Sequence, residues 1–283
     1  MRKVLITGCN GYIGSRLAKF LTANGCKVVG IARQKADAPF PVRIGDIRDS
    51  KFVSSVMKEE GITDAFHLAA VLKSNDANET WDVNVNGTKS VAAAFEQSDA
   101  QKIVFSSSGK VYGKVDVIPT PETHPMNTTS PYGRSKAEAE KALRGMEGKQ
   151  TVILRQTYLY GRGMNKDFLV PTIINHVKTS SVVTLRNADV KRDFIHVDDL
   201  LQLYYFILRK NMPQLETYNV SCGASISLRG LAETAGKLMG KNVAVKSLRI
   251  REENEEELLD VTKIRALGWT PAVNYEEGLR RCL

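Results

Sequence analysis

Lys3-Val4-Leu5-Ile6-Thr7 is a short apolar run that passes directly into Gly8-Cys9-Asn10-Gly11-Tyr12-Ile13-Gly14, and Ser15 to Leu21 continues with apolar residues at helical spacing. A buried strand, a glycine-rich turn and a helix start in immediate succession constrain the fold strongly. The glycines permit a tight turn and a close backbone approach, and the helix N-terminus offers free N–H groups and a positive dipole end to an anion. This order predicts a phosphate cradle in which Gly8, Gly11 and Gly14 line a pyrophosphate and Tyr12 and Ile13 supply backbone N–H groups. The competing reading, a plain strand-to-helix turn, gives no reason for three glycines at this spacing.

The rest of the chain repeats the strand–helix alternation. Apolar runs at Cys26–Ala32, Val42–Ile44, Asp64–Ala70, Lys102–Ser106 and Thr151–Arg155 read as strands. Helical spacing fills most of the intervals, notably from Asp49 or Ser50 to about Glu60, from Glu79 to Gln97, and from Pro131 onward. Such alternation implies an α/β fold with a doubly wound parallel sheet. Beyond Gly161 the pattern is less regular. The expected division is a dinucleotide-binding domain over 1–160 and a smaller C-terminal substrate-binding lobe over 161–283, with about 193–222 returning to the sheet. At 283 residues the chain is long enough for this arrangement.

Composition narrows the function class. No apolar run approaches the roughly 18 residues needed to span a bilayer. Cys9, Cys26, Cys222 and Cys282 form no CxxC pair. That pattern suits reduced thiols in a cytoplasm and supplies no metal site. The formal charge of +9 favours anionic ligands, but the basic residues form no tract, so nucleic acid is the weaker reading. The acidic run Glu252 to Glu257 reads as a solvated segment.

Two further features carry chemistry. Arg33 stands at the end of the second strand, where a carboxylate would bind the ribose 2′-hydroxyl of NAD. A guanidinium there suits a 2′-phosphate, which favours NADP(H) over NAD(H). Asp46 and Ile47, after the third strand, are placed to hold an adenine. Then Tyr132-Gly133-Arg134-Ser135-Lys136 puts a phenol and an ammonium four residues apart, on one helical face. An ammonium beside a phenol favours phenolate and lowers the tyrosine pKa, a pairing fit for moving the proton of a carbinol while hydride moves to or from a nicotinamide. His67 reads as a buried structural histidine, and His196 as part of a structural turn. His124 and His176 have no assigned role.

Taken jointly, Thr7-Gly8-x-x-Gly11-x-Ile13-Gly14, His67-Leu68-Ala69-Ala70, Ser106-Ser107-Ser108-x-x-Val111-Tyr112-Gly113, Pro131-Tyr132-Gly133-x-Ser135-Lys136 and Arg192-Asp193-Phe194-Ile195-His196-Val197-x-Asp199 resemble the extended short-chain dehydrogenase/reductase family. The similarity is to its nucleotide-sugar epimerases, dehydratases and 4-ketoreductases. It covers nearly the whole chain and implies a Rossmann fold. The resemblance makes Ser108, Tyr132 and Lys136 the catalytic set: Ser108 holds the substrate oxygen, Tyr132 is the general acid/base, and Lys136 orients the nicotinamide ribose. It adds Thr7, Leu68, Ala69 and Ala70, together with Tyr132 and Lys136 themselves, to the cofactor-binding residues. It places Arg192 at the substrate diphosphate, with Arg249 or Arg251 as a second phosphate contact. It also implies a homodimer through a four-helix bundle built from helices near 80–97 and 131–146.

Departures from the family pattern refine the expectation. Dehydratases carry an acidic pair where this chain has Gly109 and Lys110, which argues against water elimination. Tyr158 replaces an asparagine that often meets the substrate. The expected activity is therefore hydride transfer at C4 of a nucleotide-linked sugar, as a 4-keto-6-deoxyhexose reductase ahead of a 4-epimerase. A non-catalytic nucleotide- or RNA-binding protein ranks third, because Ser108, Tyr132 and Lys136 are all present.

Overall fold

A computed structural model describes residues 2–35, 37–72, 76–248 and 254–283. Arg249 and Arg251, with Glu252 and Glu253, lie outside the described residues. The chain divides into two compact units. The first comprises Met1–Gly113, Met126–Arg155 and Leu201–Tyr218, and the second Lys114–Pro125, Gln156–Leu200 and Asn219–Leu283.

The first unit runs β1 (Lys3–Thr7), α1 (Tyr12–Ala23), β2 (Lys27–Ala32), β3 (Val42–Ile44), α2 (Ser50–Glu59), β4 (Asp64–His67), α3 (Ala77–Trp81), a π-helical turn (Asp82–Asn86), α4 (Gly87–Glu96), β5 (Lys102–Ser108), a 3-10 turn (Gly109–Val111), α5 (Pro131–Arg144) and β6 (Gln150–Gln156). The later chain adds β7 (Tyr158–Tyr160), α6 (Leu169–Thr179), β8 (Val182–Leu185), β9 (Lys191–His196), α7 (Val197–Arg209), β10 (Leu215–Val220), β11 (Ser225–Ser227), α8 (Leu228–Leu238), β12 (Ala244–Ser247), β13 (Glu256–Glu257), α9 (Thr262–Ala266) and α10 (Tyr275–Cys282).

One seven-stranded sheet has the order β10-β6-β5-β4-β1-β2-β3. Strands β3, β2, β1, β4 and β5 pair in parallel, with Thr7 between Ile31 and His67. The chain leaves β1 toward β2 and β3, then crosses back to β4 on the other side. The carboxyl ends of β1 and β4 thus flank a topological switch point, where open α/β sheets bind ligands. Helices cover the sheet, so its central strands are apolar on both faces: Leu5, Val29, Ala65, Phe105 and Ile153 join Val53, Val91 and Phe95 in one core.

In the second unit β9 pairs with β7 and β13 in parallel and with β11 antiparallel, and β12 pairs with β8. Tyr160, Ile173, Phe194, Leu231 and Leu279 form its core. Two expectations change here. His196 ends strand β9 rather than lying in a turn. Glu256 and Glu257 are not simply solvated: they form β13, in register with Lys191 and Arg192. Among the described residues, no helix is long and apolar enough to cross a membrane.

Candidate active site

The glycine turn meets its geometric requirements. Gly8 has φ of +69°, a left-handed conformation that disfavours a side chain. A Cβ on Gly14 would lie 2.2 Å from the Gly8 carbonyl oxygen. Helix α1 therefore starts against the turn, and Gly11 at its N-cap supplies no side-chain cap. The first N–H groups of α1 are left for a ligand. We expect Gly14→Ala to push the turn off α1 and weaken dinucleotide binding by at least about tenfold, a cost of about 1–3 kcal/mol for overpacking. Titrating protein fluorescence with dinucleotide measures it.

Beside the turn lies a cleft of about 250 Å³ lined by Gly8, Gly11, Arg33, Asp46, Ile47, Leu68, Ala69 and Ala70, with Asn10, Val71 and Val83. These residues, from the ends of β1, β2, β3 and β4, suit a dinucleotide: uncapped helix N–H groups, small residues against the ring positions, and a cation and a carboxylate at the far end. Arg33 is exposed. Asp46 is engaged: Arg48 donates to it from Nε at 3.0 Å and Nη2 at 2.7 Å. Arg48 holds its carboxyl below the usual range, with Arg33 contributing at longer distance. Arg48 also bonds Asp82 on the π-helical turn.

Thr7 contributes through its own chain rather than by lining the cleft. Its hydroxyl oxygen accepts from the N–H groups of Leu68 and Ala69, both at 3.2 Å. With both lone pairs filled, its proton must go to His67 Nδ1, 2.7 Å away. His67 is then the neutral Nε2–H tautomer, donating to Thr88 Oγ1 at 2.9 Å. Thr88 in turn donates to the Asn84 carbonyl at 2.6 Å. Burial, reinforced by the Lys136 charge, pushes the His67 pKa down to about 3, which keeps it neutral.

Asn84 is a residue the sequence reading missed. It sits in the π-helical turn that interrupts the helix expected over Glu79–Gln97. Its side chain accepts from Val71 N at 2.7 Å, donates to Val71 O at 2.9 Å, and donates to Ser135 Oγ at 2.9 Å. Ser135 donates to the Tyr132 carbonyl at 2.8 Å. One amide thus ties the loop after β4 to the first turn of α5. The wide π turn, a feature common at functional sites, presents it inward. The only sequence signal was a run of Asn and Val breaking the helical stripe.

Ser108 ends β5, and its Oγ accepts from Lys110 N at 3.2 Å, capping the 3-10 turn. Ser130 caps α5 by accepting from Gly133 N at 3.1 Å, with Pro131 in the first turn. These caps place Tyr132 within the first turn of α5, where Ser108 acts on its hydroxyl. Lys136, one turn on, is 2 % exposed, and its Nζ lies 4.1 Å from the centroid of Phe105. Among the described residues no hydrogen bond joins Lys136 to Tyr132. The expected lowering of the Tyr132 pKa is not seen: burial pushes it up to about 12, with Ser108 drawing it partly back. Lys136 is desolvated too, which pulls its pKa down to about 7 despite Glu140.

Tyr158 and Arg192 belong to the second unit. Arg192 is buried, donates to the carbonyls of Lys191 and Asn254 at 2.8 and 3.2 Å, and faces Glu257 at 3.5 Å. The Tyr158 hydroxyl also reaches Glu257, at 3.4 Å.

Comparison with known proteins follows this geometry. Residues 4–221 match the model of the NAD dependent epimerase/dehydratase family. The chain is 28% identical to the UDP-glucose 4-epimerase of Halalkalibacterium halodurans, over 95% of this chain and 90% of that protein. It superposes with a TM-score of 0.87 on the Thermotoga maritima UDP-glucose 4-epimerase solved with UDP-glucose, at 25% identity, covering 98% of this chain and 96% of that one. MoeE5, solved with UDP-glucose and NAD, superposes with a TM-score of 0.88 at 25% identity over 99% and 96% of the two chains. With the switch-point cleft, the glycine turn and a family match across most of its length, the chain belongs to the NAD dependent epimerase/dehydratase family, within the nucleotide-sugar group of the extended short-chain dehydrogenases/reductases.

Proposed function

We propose that this protein reduces the C4 ketone of a nucleotide-linked 4-keto-6-deoxyhexose, with NADP(H) as the favoured dinucleotide. The observation that carries the reading is the placement of Ser108 at the carboxyl end of β5, the neighbour of β4, with Tyr132 set by its caps in the first turn of α5, where Ser108 draws on its hydroxyl. The cleft residues would hold a reduced nicotinamide dinucleotide, which would supply the hydride for the C4 carbon. Ser108 donates a hydrogen bond to the C4 carbonyl oxygen and fixes it beside Tyr132. Tyr132, kept protonated at neutral pH by burial, gives its proton to that oxygen as it becomes an alcohol. Lys136 holds the ribose hydroxyls and offers positive charge to the phenolate left behind.

Three features support reduction. A phenol held protonated is the form a reductive step consumes. The turn Gly109–Val111 carries no carboxylate, so it lacks the acidic pair of a dehydratase. Arg33, exposed in the cleft, suits a 2′-phosphate. Arg33→Asp should shift the NADP(H)-to-NAD(H) ratio of kcat/KM by about 100-fold toward NAD(H), the effect of replacing a charge-assisted contact by a repulsive one.

A second reading, a 4-epimerase using the same groups, is favoured by the names of the similar proteins and by the NAD bound in MoeE5. Purified protein incubated with UDP- and dTDP-linked 4-keto sugars and their 4-hydroxy counterparts separates the two. Stoichiometric loss of reduced-nicotinamide absorbance supports the reductase. Interconversion of C4 epimers without net cofactor consumption overturns it in favour of the epimerase. The substrate is a nucleotide-diphosphate sugar in either case, and Tyr158 and Arg192, with Arg249 and Arg251, are our candidates to contact it. We further propose a cytoplasmic homodimer formed through the helices around 80–97 and 131–146.

A further inference from the structure

The first unit buries a charged cluster that the hydride-transfer chemistry does not use. Glu140 lies one turn after Lys136 on α5 and is fully buried. Its Oε1 accepts from Ser107 Oγ at 2.6 Å and from Arg155 Nε at 3.0 Å. Its Oε2 accepts from Arg155 Nη2 at 2.8 Å and from Arg144 at 3.2 Å. Arg155, on β6 and 3 % exposed, donates onward to the Tyr112 hydroxyl at 3.0 Å. Ser107 directly precedes Ser108. The cluster therefore grips the end of β5, the start of the segment after it, and the middle of α5.

A buried ion pair is costly to assemble and often replaceable by apolar residues without loss of stability. Stability alone is thus a poor reason for this one. Its position suggests another. Lys136 faces neutral His67 from β4, the ring of Phe105 from β5, and Glu140 from its own helix. Among these neighbours Glu140 alone bears a negative charge. Burial by itself would push the Glu140 carboxyl up, but Arg155, Ser107 and Arg144 hold it below the usual range, which favours its charged form.

We propose that Glu140, fixed by Arg155 and Ser107, is a positioning residue for the active site: its carboxylate stands one helical turn from the buried Lys136 as that ammonium's counter-charge, and its bond to Ser107 sets the end of β5 from which Ser108 reaches the substrate. This rests on the hydride-transfer reading for the roles of Ser108 and Lys136. The coupling between Glu140 and Lys136 is measurable without it.

Glu140→Gln alone strands the Arg155 charge and can unfold the protein. Glu140→Gln/Arg155→Met removes both partners of the Glu140–Arg155 pair and takes the negative charge from beside Lys136, and the amide still accepts from Ser107. NMR of isotope-labelled lysine ε-carbons, with Lys136→Met identifying the signal, follows Lys136 directly. In the double variant the Lys136 signal is expected to titrate about 1 pH unit lower than in the wild type, the effect of losing one nearby opposite charge. The alkaline limb of the kcat profile moves down by the same interval, while KM for the dinucleotide changes less than about threefold. An unmoved Lys136 titration overturns the proposal, whatever happens to kcat. Absence of any activity on nucleotide sugars in the wild type overturns the hydride-transfer reading instead, and leaves the NMR titration to decide the Glu140–Lys136 coupling.

Discussion

Tyr132→Phe is expected to lower the reduction rate by about 10²–10⁴-fold, the usual contribution of a positioned general acid. The substitution removes one oxygen and keeps the ring, so packing at the start of α5 is preserved. The caps that place residue 132, from Ser130 and Pro131, do not involve the phenol. Ser135 bonds the backbone carbonyl of residue 132, not its side chain. Dinucleotide affinity should therefore stay within about twofold, because the proposed role of the Tyr132 hydroxyl is to donate to the substrate oxygen rather than to hold a phosphate or adenine. The measurement pairs single-turnover kinetics with dinucleotide titration. Full activity in Tyr132→Phe on every sugar the wild type turns over would remove the proposed acid.

Lys136→Met should separate activity from stability. Lys136 is buried, and among the described residues none forms a salt bridge with it. Its ordinary pKa is near 10.5, and burial draws it down to about 7 in the folded protein. Between those values the unfolded chain binds a proton that the folded chain does not, so stability rises with pH across that window. Below about pH 7 both states are protonated, and the full cost of the buried ammonium is present. Methionine matches the length and removes the cost. We expect Lys136→Met to gain about 1–4 kcal/mol at pH 7, by analogy with apolar replacement of buried charge, and to gain progressively less toward pH 10. Thermal melts across that pH range give the sign directly. Activity should fall by at least about 100-fold, since the proposed ribose contact and the positive charge proposed to meet the phenolate go together. A variant less stable at pH 7 than at pH 10 relative to wild type would contradict the assignment of Lys136 as a desolvated cation.

The same balance explains why the Tyr132–Lys136 spacing misleads when taken alone. Four residues on one helical face bring phenol and ammonium near each other, and in water that pairing lowers a tyrosine pKa. In the folded chain both groups lose solvent, and desolvation is the largest cause of the shift in each. Around Arg192 the structure adds what the motif did not show: its guanidinium bonds backbone carbonyls and is set against Glu257, a residue expected only to be solvated.

What the sequence determined by itself was the part written in local pattern. Glycine spacing between an apolar strand and a helix specified the turn at Gly8–Gly14, because backbone conformation and close approach depend on residues adjacent in the chain. Strand–helix alternation specified the parallel sheet for the same reason: burial on both faces leaves continuous apolar runs. Tertiary structure decided what depends on distant residues meeting. The tautomer of His67 follows from Thr7 and Thr88, the role of Asn84 from Val71 and Ser135, and the charge state around Lys136 from Glu140, Arg155 and the water that folding removes. Proton positions and pKa values are set by burial and by partners dozens of residues away, and no local pattern carries that information.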